Sequence, residues 1–177
     1  MTTASNERQE LIGHGQIARM VFPEGWVEGP PYRFEGGIGT RSFREFHPVE
    51  DPKAMLCFYY RGLPVNAALG ERFHSVLEQE PHVLTDEEYG SLREILRDKH
   101  NPEDFTLISA QVEDFNGKRV LTVFGRYNKI QEDIYELFID ADRTGRVIQE
   151  VYFQAPVDSY MKYLQDAINA MKSIEWK

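Results

Sequence analysis

The sequence predicts an α+β fold, a mainly antiparallel sheet with helices packed on it. Three observations predict it. Apolar patterning gives strands first, then two helical segments, four strands and a last helix, with no regular βαβ alternation. Asn116-Gly117, the preferred pair for a two-residue hairpin turn, sits between two long strand-like runs. The chain closes on a stretch with apolar residues at helical spacing.

The first elements are short. Residues 1–15 are polar and weakly patterned, and read as a flexible N-terminal arm; residues 16–177 read as a single domain. "ARMVFPEGW" is a short strand ending in a turn at Pro23-Glu24-Gly25. "VEGPPYRFEGG" is a Pro/Gly loop, "TRSFREFHP" alternates as a strand, and "AMLCFYYRG" is a denser, more buried strand. "LGERFHSVLEQ" puts Leu69, Phe73, Val76 and Leu77 on one helical stripe. "LTDEEYGSLREIL" opens with a capping box: the Thr85 hydroxyl can accept from the Glu88 amide while the Glu88 carboxylate reaches back. Leu84 and Tyr89 are placed as its hydrophobic staple, and Tyr89, Leu92 and Leu96 continue the helical spacing.

A type I′ turn at Asn116-Gly117 fixes a register. Val112 then faces Leu121, Ala110 faces Val123, and Ile108 faces Gly125; Asp114 faces Arg119 as an opposite-charge pair. Glu113, Gln111 and Ser109 face Val120, Thr122 and Phe124 on the other side, so one face is apolar and the other mixed, as in a half-buried sheet. "DIYELFID" and "RVIQEVYF" are two further strands joined by "ADRTG". Tyr160, Leu164, Ala167, Ile168 and Met171 form one face of the final helix, with Pro156 at its start and Lys172 in its last turn.

Composition narrows the function classes. The net charge of −9 opposes binding to phosphate backbones, and no Lys/Arg cluster supplies a basic face, so no nucleic-acid partner is expected. One cysteine, Cys57, excludes an intrachain disulfide and a cysteine zinc cluster. No stretch has the length and apolarity of a membrane span, and the first residues lack a signal-peptide core, so a soluble, cytoplasmic protein is expected.

Several of these stretches together resemble PsbP-like domains. "VFPEGW" resembles the Pro-x-Gly-Trp strand end near the start of those domains. "GKRVLTVFGRY", the strand pair after it and a last helix ending in "MKSIEW" are similar to the later elements of that group. The resemblance runs in element order over residues 18–177. The superfamily includes the PsbP extrinsic subunit of photosystem II, a Ran-binding nuclear-import factor and DcrB-like bacterial proteins. It implies an α-β-α sandwich without a shared active site, working as a binding module or assembly factor. PsbP and many DcrB-like proteins are exported, and this chain departs from them in showing no export signal, so no functional residue is carried over.

Candidate chemistry reads mostly as scaffold. Gly36-Gly37-Ile38-Gly39 lacks both the third glycine of a dinucleotide loop and the Gly-Lys-Ser/Thr of a P-loop, and reads as a turn. "DADRTG", Asp140 to Gly145, copies the start of a calcium loop, but Val151 stands where the bidentate glutamate is needed, which leaves a hairpin turn. Cys57 with His47 is the pair a cysteine-dependent hydrolase would use, but Cys57 lies in "MLCFYY", where a small buried hydrophobe fits. His14, His47, His74, His82 and His100 show no metal-site spacing, and no metal or cofactor is expected. The least bland feature is the pairing of Tyr and Arg at strand ends: Tyr60-Arg61 and Arg126-Tyr127. If those ends meet, they form a cationic-aromatic patch suited to a protein or peptide partner. The expected function is therefore a non-enzymatic binding or assembly module. The alternative is a small-molecule or lipid carrier with a pocket between sheet and helices.

Overall fold

The computed structural model describes residues 8–30, 43–61 and 63–177. The Gly36–Gly39 turn lies outside them, as do residues 1–7 of the expected arm. The strands are β1 (Glu10–His14), β2 (Ile17–Val21), β3 (Trp26–Glu28), β4 (Phe43–Pro48), β5 (Met55–Tyr60), β6 (His82–Val83), β7 (Phe105–Phe115), β8 (Lys118–Tyr127), β9 (Glu132–Asp140), β10 (Ile148–Pro156) and β11 (Glu175–Trp176). The helices are α1 (Ala67–Leu77), α2 (Asp86–Ser91), α3 (Arg93–Leu96) and α4 (Val157–Lys172), with a 3₁₀ turn over Arg97–His100.

An eight-stranded sheet in the order β3-β4-β5-β10-β9-β8-β7-β6 forms the centre, and every pairing in it is antiparallel. On one face, Leu56, Phe58, Leu137, Val151 and Phe153 pack with Tyr160, Tyr163, Ala167 and Met171 of α4. On the other, Val112, Leu121, Val123, Ile134 and Phe138 pack with Phe73 and Leu77 of α1 and with Leu92, Ile95 and Leu96. Alternation along β9 feeds both cores, since successive side chains point to opposite faces. The result is the expected α-β-α sandwich.

Some local expectations need correction. Residues 10–14 are a strand rather than part of an arm: Leu11 is fully buried, and β1 pairs with β2 across Gly15-Gln16, where Gly15 takes a left-handed φ of +54°. The small sheet β1-β2-β11 is tied to the large one by buried Gln149, which accepts from the Gln16 amide (2.7 Å) and donates to the His14 carbonyl (3.0 Å). The helix expected over residues 85–96 breaks at Leu92 (φ −99°, ψ 10°), a bend that accompanies full burial of Leu92, Ile95 and Leu96. Its capping box is present: Thr85 Oγ1 accepts from the Glu88 amide at 3.2 Å, and the Thr85 amide donates back to Glu88 at 2.8 Å.

The hairpin keeps the expected register from Asp114↔Arg119 to Ser109↔Phe124, and Asn116 and Gly117 both have positive φ (52° and 77°), as a type I′ turn requires. Beyond Ser109 a bulge intervenes, so Leu107 rather than Ile108 faces Gly125, and Ile108 is exposed. The missing side chain at Gly125 makes room for the Phe105 ring; a Cβ there would stand 2.3 Å from it. β7 is half-buried as expected, with Ala110 and Val112 covered and Gln111 and Glu113 partly exposed, but β8 is not: Val120 and Thr122 are covered as fully as Leu121 and Val123, because β8 is covered on both faces.

Candidate functional site: a cationic-aromatic cleft

One end of the sheet gathers the tip of the β7–β8 hairpin, the β9–β10 loop, the end of α1 and β11. The hairpin tip positions the others. Asn116 Nδ2 donates towards the carbonyls of Lys172 (3.0 Å) and Ile174 (3.1 Å), groups the α4 backbone leaves unpaired at its end. The turn residue thus also docks the last helix and sets Trp176, whose indole Nε1 donates to the Phe115 carbonyl at 3.3 Å. The β9–β10 loop is shaped by Asp142, which accepts from the amides of Thr144 (3.1 Å) and Val147 (3.3 Å), and the loop seats on α1 through Gly145. A Cβ on Gly145 would lie 2.0 Å from the Gly70 carbonyl oxygen, so only glycine permits this approach.

These elements enclose a cleft of about 480 Å³, lined among others by Lys118, Arg119, Arg143 and Trp176. The Lys118 ammonium lies 5.3 Å from the Trp176 ring centroid, within cation-π range. Burial, and then the Arg143 guanidinium, push the Lys118 ammonium below its ordinary value. Among the described residues neither Lys118 nor Arg143 forms an ion pair, whereas Arg119 is tied to Asp114 at 2.9 Å. In the cleft wall, Asp140 Oδ2 meets His74 Nδ1 at 2.9 Å, while buried Oδ1 has no donor.

No family model and no curated protein matches the sequence. The structure is similar to the solution structure of cyanobacterial PsbP (CyanoP) from Synechocystis sp. PCC 6803, at 13% identity, with 98% of this chain and 95% of that one covered and a TM-score of 0.60. The fold is PsbP-like.

Within this PsbP-like fold the four residues singled out in the sequence do not form one surface. Tyr60 and Arg61 end β5 beside Gln149, at the start of β10; Arg126 and Tyr127 end β8 opposite Asp133 and Glu132, at the start of β9. Between β5 and β8 stand β10 and β9, so three antiparallel steps make β5 and β8 run in opposite directions, and their last residues lie at opposite ends of the sheet. Arg61 is buried, with Nε and Nη2 on the Glu150 carboxylate (3.0 and 3.1 Å) and Nη2 also on the Ile95 carbonyl (2.6 Å). Arg126 forms a two-bond pair with Asp133 (2.6 and 3.0 Å), Tyr127 packs edge-on against Phe105, and Tyr60 is half-buried.

A second charged group lies between the sheet and the 3₁₀ turn. Lys99 Nζ stands 2.8 Å from Glu136 Oε2, without the alignment of a hydrogen bond, in the wall of a 260 Å³ cavity that Tyr59, Tyr127 and Tyr152 also line. Burial pushes the Glu136 carboxyl up to about 7; Lys99 pulls it down by less, and nearby Glu150 adds to the rise. This lining is charged and tyrosyl, unlike the apolar pocket a lipid carrier needs. Cys57 is buried on the same face and burial pushes its thiol well up, while His47 Nδ1 is engaged by the Pro48 carbonyl at 2.9 Å, so the pair lacks an activated thiolate. The calcium reading of Asp140–Gly145 also yields to a turn, since the Asp142 carboxylate serves the loop's own amides.

The cations and the indole that the structure brings together are other residues than the four singled out in the sequence. Lys118 comes directly after the Asn-Gly turn, Arg143 sits in the Asp-rich loop, and Trp176 is in "IEWK". Each was visible, but nothing local joins positions so far apart in the chain.

Proposed function

We propose that this protein is a non-catalytic binding module that holds a protein or peptide partner at the cationic-aromatic cleft. The observation that carries this reading is the Lys118–Arg143 pair. Both line one cleft without an ion pair among the described residues, beside an indole ring, on a protein of net charge −9 that has carboxylates in excess. Like charges left unneutralised cost stability, and a partner that neutralises them recovers it. Trp and Arg are also the side chains most enriched where binding energy concentrates. The resemblance to PsbP-like domains, which implies a binding or assembly role, supports the same class.

The test is crosslinked capture from the native host at low and moderate salt, read by mass spectrometry. Wild type is compared with Lys118→Ala/Arg143→Ala and with Arg126→Ala. We expect a salt-sensitive partner that is lost with the first variant and kept with the second. A partner indifferent to Lys118 and Arg143 rejects the cleft, and no partner at either salt rejects the module.

A further inference from the structure

Resting on that reading, we infer that the cleft recognises an extended acidic segment of a protein partner, with side-chain carboxylates against Lys118 and Arg143 and an aliphatic stem over Trp176. Two features of the cleft ask for two different things. Lys118 and Arg143 ask for negative charge, having none within ion-pair distance among the described residues. The Trp176 ring, half-exposed beside Lys118, asks for a flat or aliphatic group to cover it.

An acidic peptide in extended form meets both. It presents carboxylates, backbone N–H groups and side-chain stems at fixed spacing along one strand. Free phosphate does not: it carries negative charge but no stem to cover the Trp176 ring. The cleft volume of about 480 Å³ suits a few residues of such a segment rather than a folded surface. Arg119, held by Asp114 and donating to the Gln79 carbonyl, stiffens the rim instead of binding.

The test uses the full chain and a fluorescein-labelled peptide of alternating Glu and Gly. Anisotropy is read at about 25 and about 300 mM salt, alongside Trp emission. Trp176 reports the cleft, while Trp26 is buried in the core. We expect binding that shifts Trp emission and weakens roughly tenfold or more with salt. The charge reversal Lys118→Glu/Arg143→Glu should abolish it and create binding of a Lys-Gly probe. Equal binding of the Lys-Gly probe by wild type, or Glu-Gly binding that survives charge reversal, overturns the inference. So does competition by inorganic phosphate at matched ionic strength, which marks a plain anion site. A self-association in sedimentation that charge reversal dissolves would make a second copy the occupant and also overturn it. If the captured partner depends on Lys118 and Arg143 but the acidic peptide does not bind, the module stands and its acidic specificity falls; if neither depends on them, both fall.

Discussion

Replacing Glu136 by Gln should make this protein lose less stability as pH rises, although Glu136 sits 2.8 Å from a lysine ammonium. Breaking a buried ion pair ordinarily costs about 3–5 kcal/mol. Here burial outweighs the attraction of Lys99, and the carboxyl is raised from 4.5 to about 7. A carboxyl raised by folding favours the folded state fully below its unfolded value, and that contribution is lost as pH rises through the folded value. The whole gap, at about 1.4 kcal/mol per pH unit, corresponds to about 3 kcal/mol, of which roughly 2 kcal/mol is lost between about pH 5.5 and about pH 8. Gln resembles the protonated acid in shape and charge. Between about pH 5.5 and about pH 8 the variant should therefore gain about 2 kcal/mol on wild type. Urea unfolding at the two pH values measures this. The difference between the two proteins cancels what their other groups contribute alike. If Glu136→Gln instead loses more stability at pH 8 than at pH 5.5, the carboxylate is charged and attractive in the folded state, and the reasoning is wrong.

Arg61→Ala should cost about 3–5 kcal/mol in a thermal or urea melt, because it strands Glu150 in the core; Arg126→Ala should cost less, because Arg126 itself is partly exposed and water can reach its side of Asp133. Equal costs would contradict the burial difference. Asn116→Gly keeps the left-handed turn but removes the amide that caps α4, so a loss of about 1 kcal/mol is expected, with the hairpin amides still protected from exchange. Unprotected hairpin amides would mean that the turn, not the cap, depends on Asn116. Cys57 should resist thiol reagents in the native state and react only on unfolding; fast native labelling would refute its burial.

What could be read from the sequence was what short stretches decide. Asn116-Gly117 set the hairpin register down to Ser109, because a two-residue turn leaves no freedom in pairing; the register was lost at Ile108, where a bulge forms beside the Phe105 ring packed over Gly125. Thr85 and Glu88 declared their capping box because both partners lie within one turn. The strand at Glu10–His14 escaped notice because its apolar signal is short, and the burial of Leu11 depends on β2 and the core beyond.

The sequence by itself determined the order of elements, the α+β class, the hairpin and the absence of cysteine pairing, since these come from periodicity, turn chemistry and composition. The tertiary structure decided which charges meet. Strand order put Arg61 and Arg126 at opposite ends of the sheet and buried Arg61 against Glu150. It also brought Lys118, Arg143 and Trp176 to one cleft from three separate parts of the chain. Such contacts depend on how many antiparallel steps separate two strands and on which face each side chain takes, and neither is written in any local window of residues.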